Sequence, residues 1–226
     1  MAPTIILIRH GEAEHNATWN HRLADPPLTK LGEEQCKQLS DRLQQHCPIA
    51  DGVEAIISSP MVRTLQTTMI GLDWLIQRRV KVEADASWQE LSAKPCDTGS
   101  PARAISERFP AVDFSSLDPI YPDKSLGTRY AYTRTKVLER GQQVLANLYN
   151  RPEKVIAVVS HSAFLRLAVS KRHYANADYR VFTFAGDSAE GDMRLVESEL
   201  TKGEGGMGWS ESGVPDIAAY KFPGET

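Results

Sequence analysis

The stretch Thr4-Ile5-Ile6-Leu7-Ile8-Arg9-His10-Gly11 carries the reading of the fold. Its apolar run is rich in β-branched residues and lacks polar alternation, which predicts a strand covered on both faces at the centre of a parallel sheet. Val155-Ile156-Ala157-Val158-Val159-Ser160-His161 repeats the pattern, again ending in a histidine. Residues 55–58 and 80–84 read as two further strands. Between the strands lie helical periodicities. Leu28, Leu31, Leu39 and Leu43 mark one face of a helix running to about His46, with Thr29 placed to cap it. Pro60 opens a helix with the stripe Met61, Leu65, Met69, Leu72 and Ile76. Residues 128–149 and 163–171 read as helices, and residues 179–185 and 194–199 as strands joined across 186–192 in a hairpin-like edge. Strands alternating with helices predict an α/β fold, a three-layer α/β/α sandwich with a mostly parallel central sheet and one antiparallel edge strand.

A chain of 226 residues with 41% hydrophobic and 24% charged residues is expected to form one domain over residues 1–226. Within it, the stretch at about 93–127, rich in Pro, Ser and Asp with a short helix near 103–109, reads as an insertion. The glycine-rich stretch from about 203 reads as a flexible tail. The net charge of −3 gives no global attraction to nucleic acid or anionic lipid, so neither is expected as a partner, and any anion must be held by a local cluster. Cys36, Cys47 and Cys96 form an odd, widely spaced set, which suits a reducing compartment. The N-terminus has no basic leader or long apolar run, and the expected location is the cytoplasm, with the nucleus as a further place. A monomer or homodimer is expected.

In an open α/β sheet, ligands sit beyond the carboxyl ends of the strands. His10 and His161 stand immediately after two buried strands, so both should emerge at that edge. Arg9 precedes His10 and Gly11 follows it, which puts a guanidinium, an imidazole and a residue without Cβ in one turn where backbone can approach a ligand. Arg63, in the first turn of the helix after Ser58-Ser59-Pro60, can bring a second guanidinium, and the backbone N–H groups of that turn favour anions.

With Asn16, then Pro27-Leu28-Thr29 and Gly32, then Arg63 and Thr67, and finally Ser160-His161-Ser162, these residues resemble the histidine phosphatase superfamily, in its phosphoglycerate-mutase-like branch. The resemblance implies that His10 is a nucleophile that carries the phosphoryl group as phosphohistidine. It implies that Arg9, Arg63 and His161 clamp the phosphoryl oxygens, with His161 working best protonated. To attack, His10 must be neutral, with its other ring nitrogen donating to an acceptor such as a backbone carbonyl. Asn16 stands where the family often places another phosphate contact. Gly11, His21 and Ser162 complete the expected substrate-binding set, His21 as a loop contact. For the proton needed by the leaving oxygen, the resemblance points to Glu90, with Asp97 and Glu12 as the alternatives. Trp88 and partial burial would raise its pKa.

The segment Leu91-Ser92-Ala93-Lys94-Pro95-Cys96-Asp97 departs from the mutases and is similar instead to fungal phosphoglycerate-mutase-like phosphatases. The expected activity is metal-independent hydrolysis of phosphate monoesters of small metabolites. Mutase-type phosphoryl transfer, a silent phosphate-binding module and a recruited non-phosphatase activity stand as alternatives. No cofactor or metal site is expected, because the motif positions lack carboxylate clusters or paired His and Asp ligands. His15, His46 and His173 read as surface or loop residues. Arg103, Lys124 and Arg129 are open between reading a second negative charge and being solvated.

Overall fold

The computed structural model describes residues 2–186, 192–216 and 220–223. Its elements in chain order are β1 (Thr4–Arg9), α1 (Glu14–Thr18), α2 (Lys30–His46), β2 (Ala55–Ser58), α3 (Val62–Gly71), α4 (Asp73–Gln77), β3 (Lys81–Ala84), α5 (Ala102–Arg108), α6 (Arg134–Tyr149), β4 (Val155–Ser160), α7 (Ser162–Phe164), β5 (Tyr179–Phe184) and β6 (Leu195–Glu197). The sheet order is β3-β2-β4-β1-β5-β6. β3, β2, β4 and β1 are mutually parallel, and β5 runs against both β1 and β6. The reversed strand is therefore β5, one place in from the edge.

Because successive side chains of a strand point to opposite faces, an apolar run without alternation needs cover on both sides. Ile6 and Ile8 pack in the cluster that contains Leu39 and Leu43 of α2 and Val62 and Leu65 of α3. Ile5 and Leu7 pack in the cluster formed with Val137, Val144, Leu145 and Leu148 of α6 and with Phe164. These two cores are the two interlayer spaces of the sandwich. Thr29 caps α2 by accepting from Gly32 N at 3.0 Å.

Several expected elements differ in extent. The helix after Pro60 breaks at Leu72, just beyond Gly71, where a Cβ would come within 3.2 Å of Leu39 and 3.3 Å of the Cys36 carbonyl. Close approach to α2 there, and the bend a glycine permits, divide one periodic stripe between α3 and α4. Helix α6 starts at Arg134 rather than near residue 128, because Thr133 caps it by accepting from Lys136 N and residues 128–132 are held in turns. The expected helix over 163–171 is one α turn followed by a π segment, Leu165–Val169, in which Ser170 N reaches back to Leu165 O. The expected last strand, 194–199, shortens to Leu195–Glu197, and most of its connection from β5 lies outside the described residues. The glycine-rich stretch is bound to the domain through residue 210. Asp178 accepts from Met207 N and Ser210 Oγ, Gly206 N donates to Tyr179 O, and Arg42 donates to Gly206 O. Among the described residues, no helix is long and apolar enough to cross a membrane.

Candidate active site

Register explains why the two histidines meet. Arg9 pairs with Ser160 across β1 and β4, so His10 and His161 stand one residue beyond a matched pair. His10 N donates to Ser160 O at 3.1 Å, and the two imidazole centroids lie 5.2 Å apart. His10 is 2% exposed, and Arg63 and His161 are fully buried.

The His10 ring has a defined tautomer. Its Nδ1 lies 2.7 Å from Gly11 O, and a carbonyl can only accept, so the proton is on Nδ1. Nε2 then carries the lone pair, which accepts from Arg63 Nε at 3.2 Å. Burial first, then the charges of Arg63 and Arg9, hold the imidazole well below its ordinary pKa, so the neutral form prevails. His161 Nε2 lies 2.9 Å from Ser59 Oγ, and its Nδ1 is buried without a partner among the described residues. Burial and Arg63 lower its pKa as well. The protonated His161 expected from sequence is thus the disfavoured form, because the ring is buried among four cationic or potentially cationic neighbours, Arg63, His10, Lys124 and His15. Arg9 donates to Tyr174 O at 2.8 Å through Nη1, while its buried Nε has no acceptor among the described residues.

Glu90 is 9% exposed, and its carboxylate accepts from Leu91 N, Ala163 N and Phe164 N at 2.9–3.2 Å, the last two at the start of α7. Burial first and Asp97 next raise its pKa. Trp88 packs edge-on to Phe164 beside it. Of the two alternative acids, Glu12 accepts from Thr29 Oγ1 at the start of α2, whereas Asp97 lies within the site at 3.5 Å from Arg63 Nη2.

The other expected residues have the following neighbours. The missing Cβ of Gly11 makes room for α2, since a Cβ would lie 2.6 Å from Gly32 O and 2.9 Å from Cys36 Sγ. Packing against α2 by itself demands a glycine there. The N-terminus of α3 is no open anion site either, because Asp25 accepts from Val62 N at 3.0 Å and from Ser100. The Asn16 amide oxygen accepts from Ala13 N, and its Nδ2 donates to His15 Nε2 at 3.1 Å. Ser162 opens α7, partly buried. His21 is exposed, with its ring 3.8 Å from Cys96 Sγ.

Two residues outside the expected set lie next to it: His15, which the sequence reads as a surface or loop residue, and Lys124, which it leaves open. His15 is 7% exposed with its ring centroid 6.1 Å from that of His10, and burial followed by Arg63 brings its pKa down to about 4. Its signal was spacing, since residue 15 falls on the first turn of the helix that leaves the His10 loop. Lys124, from the insertion, is buried and donates to the carbonyls of Glu90, Ser92 and Asp97. Burial lowers its pKa. No local pattern announces that contact. Arg103 instead forms an exposed pair with Glu107, and Arg129 pairs with the mostly buried carboxylate of Asp118. The turn Pro95–Asp97 closes over the clamp, with Arg63 Nη1 donating to Cys96 O at 2.8 Å. Among the described residues, no three His, Cys, Asp or Glu side chains gather as a metal site.

Buried imidazoles and guanidiniums at the carboxyl edge of a parallel sheet mark an enzyme that handles an anion. Residues 5–185 match the family model of the histidine phosphatase superfamily (branch 1), and the chain belongs to that superfamily and is a phosphatase. It is 33% identical over 171 residues to a probable phosphatase of Schizosaccharomyces pombe, covering 73% of this chain and 76% of the relative. It is 30% identical over 202 residues to phosphoglycerate mutase-like protein 1 of Arabidopsis thaliana, covering 72% and 69%. The fold is similar to that of the phosphoserine phosphatase of Entamoeba histolytica, at a TM-score of 0.53 and 20% identity over 87% of this chain and 97% of the other.

Proposed function

We infer that the protein hydrolyses phosphate monoesters of small metabolites, without a metal, through a phosphohistidine on His10. The observation that carries this reading is the His10 ring, whose Nδ1 proton is held by Gly11 O and whose Nε2 lone pair faces Arg63. In the first step that lone pair forms a bond to phosphorus as the bond from phosphorus to the ester oxygen breaks, and Glu90 gives its proton to the leaving oxygen. In the second step Glu90 takes a proton from water, the water oxygen bonds to phosphorus, and the P–N bond breaks to release inorganic phosphate. Arg9, Arg63 and His161 hold the phosphoryl oxygens throughout, in a site dry enough to make each contact strong.

The pKa of Glu90 is raised by burial, the direction a general acid needs, and the depressed pKa of His10 supports its role as a neutral nucleophile. The burial of His10, Arg63 and His161, with the Pro95–Asp97 turn against Arg63, favours a small substrate. Three free, buried cysteines fit a cytoplasmic or nuclear setting. The test is hydrolysis of para-nitrophenyl phosphate with chelator present, followed by acid and base treatment of the trapped phosphoenzyme. Turnover that resists chelator and a phosphoenzyme that is acid-labile but base-stable are expected. Turnover in the His10→Ala variant overturns the assignment. The mutase-like names of the plant relatives favour one competitor, a transfer to a second hydroxyl, which dependence on a bisphosphate primer would reveal.

A further inference from the structure

Helix α6 and the turn at residues 86–88 border a cavity of about 210 Å³ that none of the clamp residues lines. Lys136, Glu139, Arg140 and Gln143, spaced three and four apart on one face of α6, form one wall, and Ser87 and Arg129 belong to the other. Arg140 is 6% exposed, yet neither its Nε nor its Nη1 has a hydrogen-bond acceptor among the described residues. Its guanidinium lies 4.2 Å from the centroid of the ring of Phe164, whose backbone N–H donates to Glu90. The carboxylates nearby are Glu139, which pairs with Lys136 at 2.7 Å in the cavity wall, Asp118, which pairs with Arg129, and Glu90 and Asp85, whose charges act on Arg140 without a hydrogen bond to its Nε or Nη1. Burial lowers the Arg140 pKa only to about 10, so the side chain is a cation at neutral pH.

A buried guanidinium with two nitrogens lacking an acceptor is unfavourable, and the charge of Lys136 one turn away, offset in part by its pair with Glu139, adds a smaller repulsion. An oxyanion with several oxygens relieves both, because the planar fork of Arg140 takes two oxygens and Lys136 supplies a point charge. We propose that this cavity is a second anion-binding site, separate from the clamp around His10, that takes a small phosphate-bearing ligand. Arg140 is the cation without a hydrogen-bonded carboxylate among the described residues, Lys136 and Arg129 border the same space from their pairs with Glu139 and Asp118, and Ser87 and Gln143 add neutral partners. The space exceeds that of inorganic phosphate, so the ligand can carry further atoms.

Isothermal titration of the full chain with inorganic phosphate tests the site. The wild type is expected to bind at two places per chain. Lys136→Glu changes a half-exposed side chain, and Arg140→Met keeps an apolar stem over Phe164. Either is expected to abolish one of the two or weaken it by about ten-fold or more, the loss of a charge-assisted hydrogen bond. Thermal unfolding establishes that each variant is folded. Wild-type stoichiometry and affinity in Lys136→Glu overturn the proposal. If the clamp reading failed while this one held, the wild type would bind a single phosphate that Arg63→Ala retains and Lys136→Glu loses.

Discussion

At the carboxyl edge of β1 and β4 each site residue stands one position beyond a strand, whereas in the insertion over 93–127 the residues that reach the site come from turns. His10 and His161 are placed by a ladder, because once Arg9 pairs with Ser160 the next residues must lie side by side. Asp97 and Lys124 are placed by side-chain hydrogen bonds to distant backbone, Lys124 spanning 34 residues to reach Glu90 O and Asp97 standing 34 residues from Arg63. The edge is rigid and generic. The insertion shapes what the edge can receive, and its geometry depends on a few polar contacts in a dry setting.

The largest effect should come from the edge itself. His10→Ala is expected to lower kcat/KM for para-nitrophenyl phosphate by about 10³-fold or more, as removal of a covalent nucleophile does, with little change in thermal stability. Equal activity of the two proteins would detach the chemistry from the strand edge. Next is Glu90→Gln, which keeps an oxygen for the α7 amides but has no proton to give. A loss of about 10²-fold or more in kcat is expected for alkyl phosphates, and a smaller one for para-nitrophenyl phosphate, whose leaving oxygen needs less help. An equal loss on both substrates would point to a structural role.

In the insertion, Lys124→Met leaves three carbonyls without their shared donor. Denaturant unfolding should show a loss of about 2–3 kcal/mol, the range for buried groups left unsatisfied, and KM should rise as the turn over Arg63 loosens. If stability and KM stayed put, the insertion would not depend on that contact.

The smallest effect concerns pH. His15 has its folded pKa brought down to about 4, below the unfolded value. Its contribution to stability is therefore complete above the unfolded pKa of about 6.5. Below that the unfolded state binds the extra proton, so stability falls with pH down to about 4. His15→Asn should flatten the melting temperature between pH 6.5 and 4 relative to wild type. Parallel curves for the two proteins would mean that His15 is not held neutral by the fold. The same variant separates two roles of the ring, since Asn reproduces the Nδ1 donor and His15→Gln the Nε2 contact to Asn16. Preserved kcat/KM in the first and loss in the second assigns the free Nδ1 to the reaction.

Much of the architecture was legible because apolar runs and helical stripes are local. The strand bounds at 4–9 and 55–58 and the capped helix ending at His46 follow from a few residues each. Legibility failed where packing chose between local options. Gly71 against α2 split one helix into two, and the turns over 128–132 delayed another. Asp178 drew a glycine-rich stretch onto the sheet, through contacts 29 and 32 residues away in the chain.

From sequence alone came the family, the sheet edge, and the identities of the residues that end β1 and β4, since all of these depend on neighbours in the chain or on a spaced motif. Tertiary structure alone decided that Asp25 fills the amide end of α3, that Gly11 serves packing, that His15 faces His10, and that the Lys124 ammonium holds the Glu90 loop. It also decided protonation. A histidine is neutral or charged according to how much water and how many cations surround it, and that surrounding is assembled here from β1, α3, β4 and the insertion, segments up to about 150 residues apart.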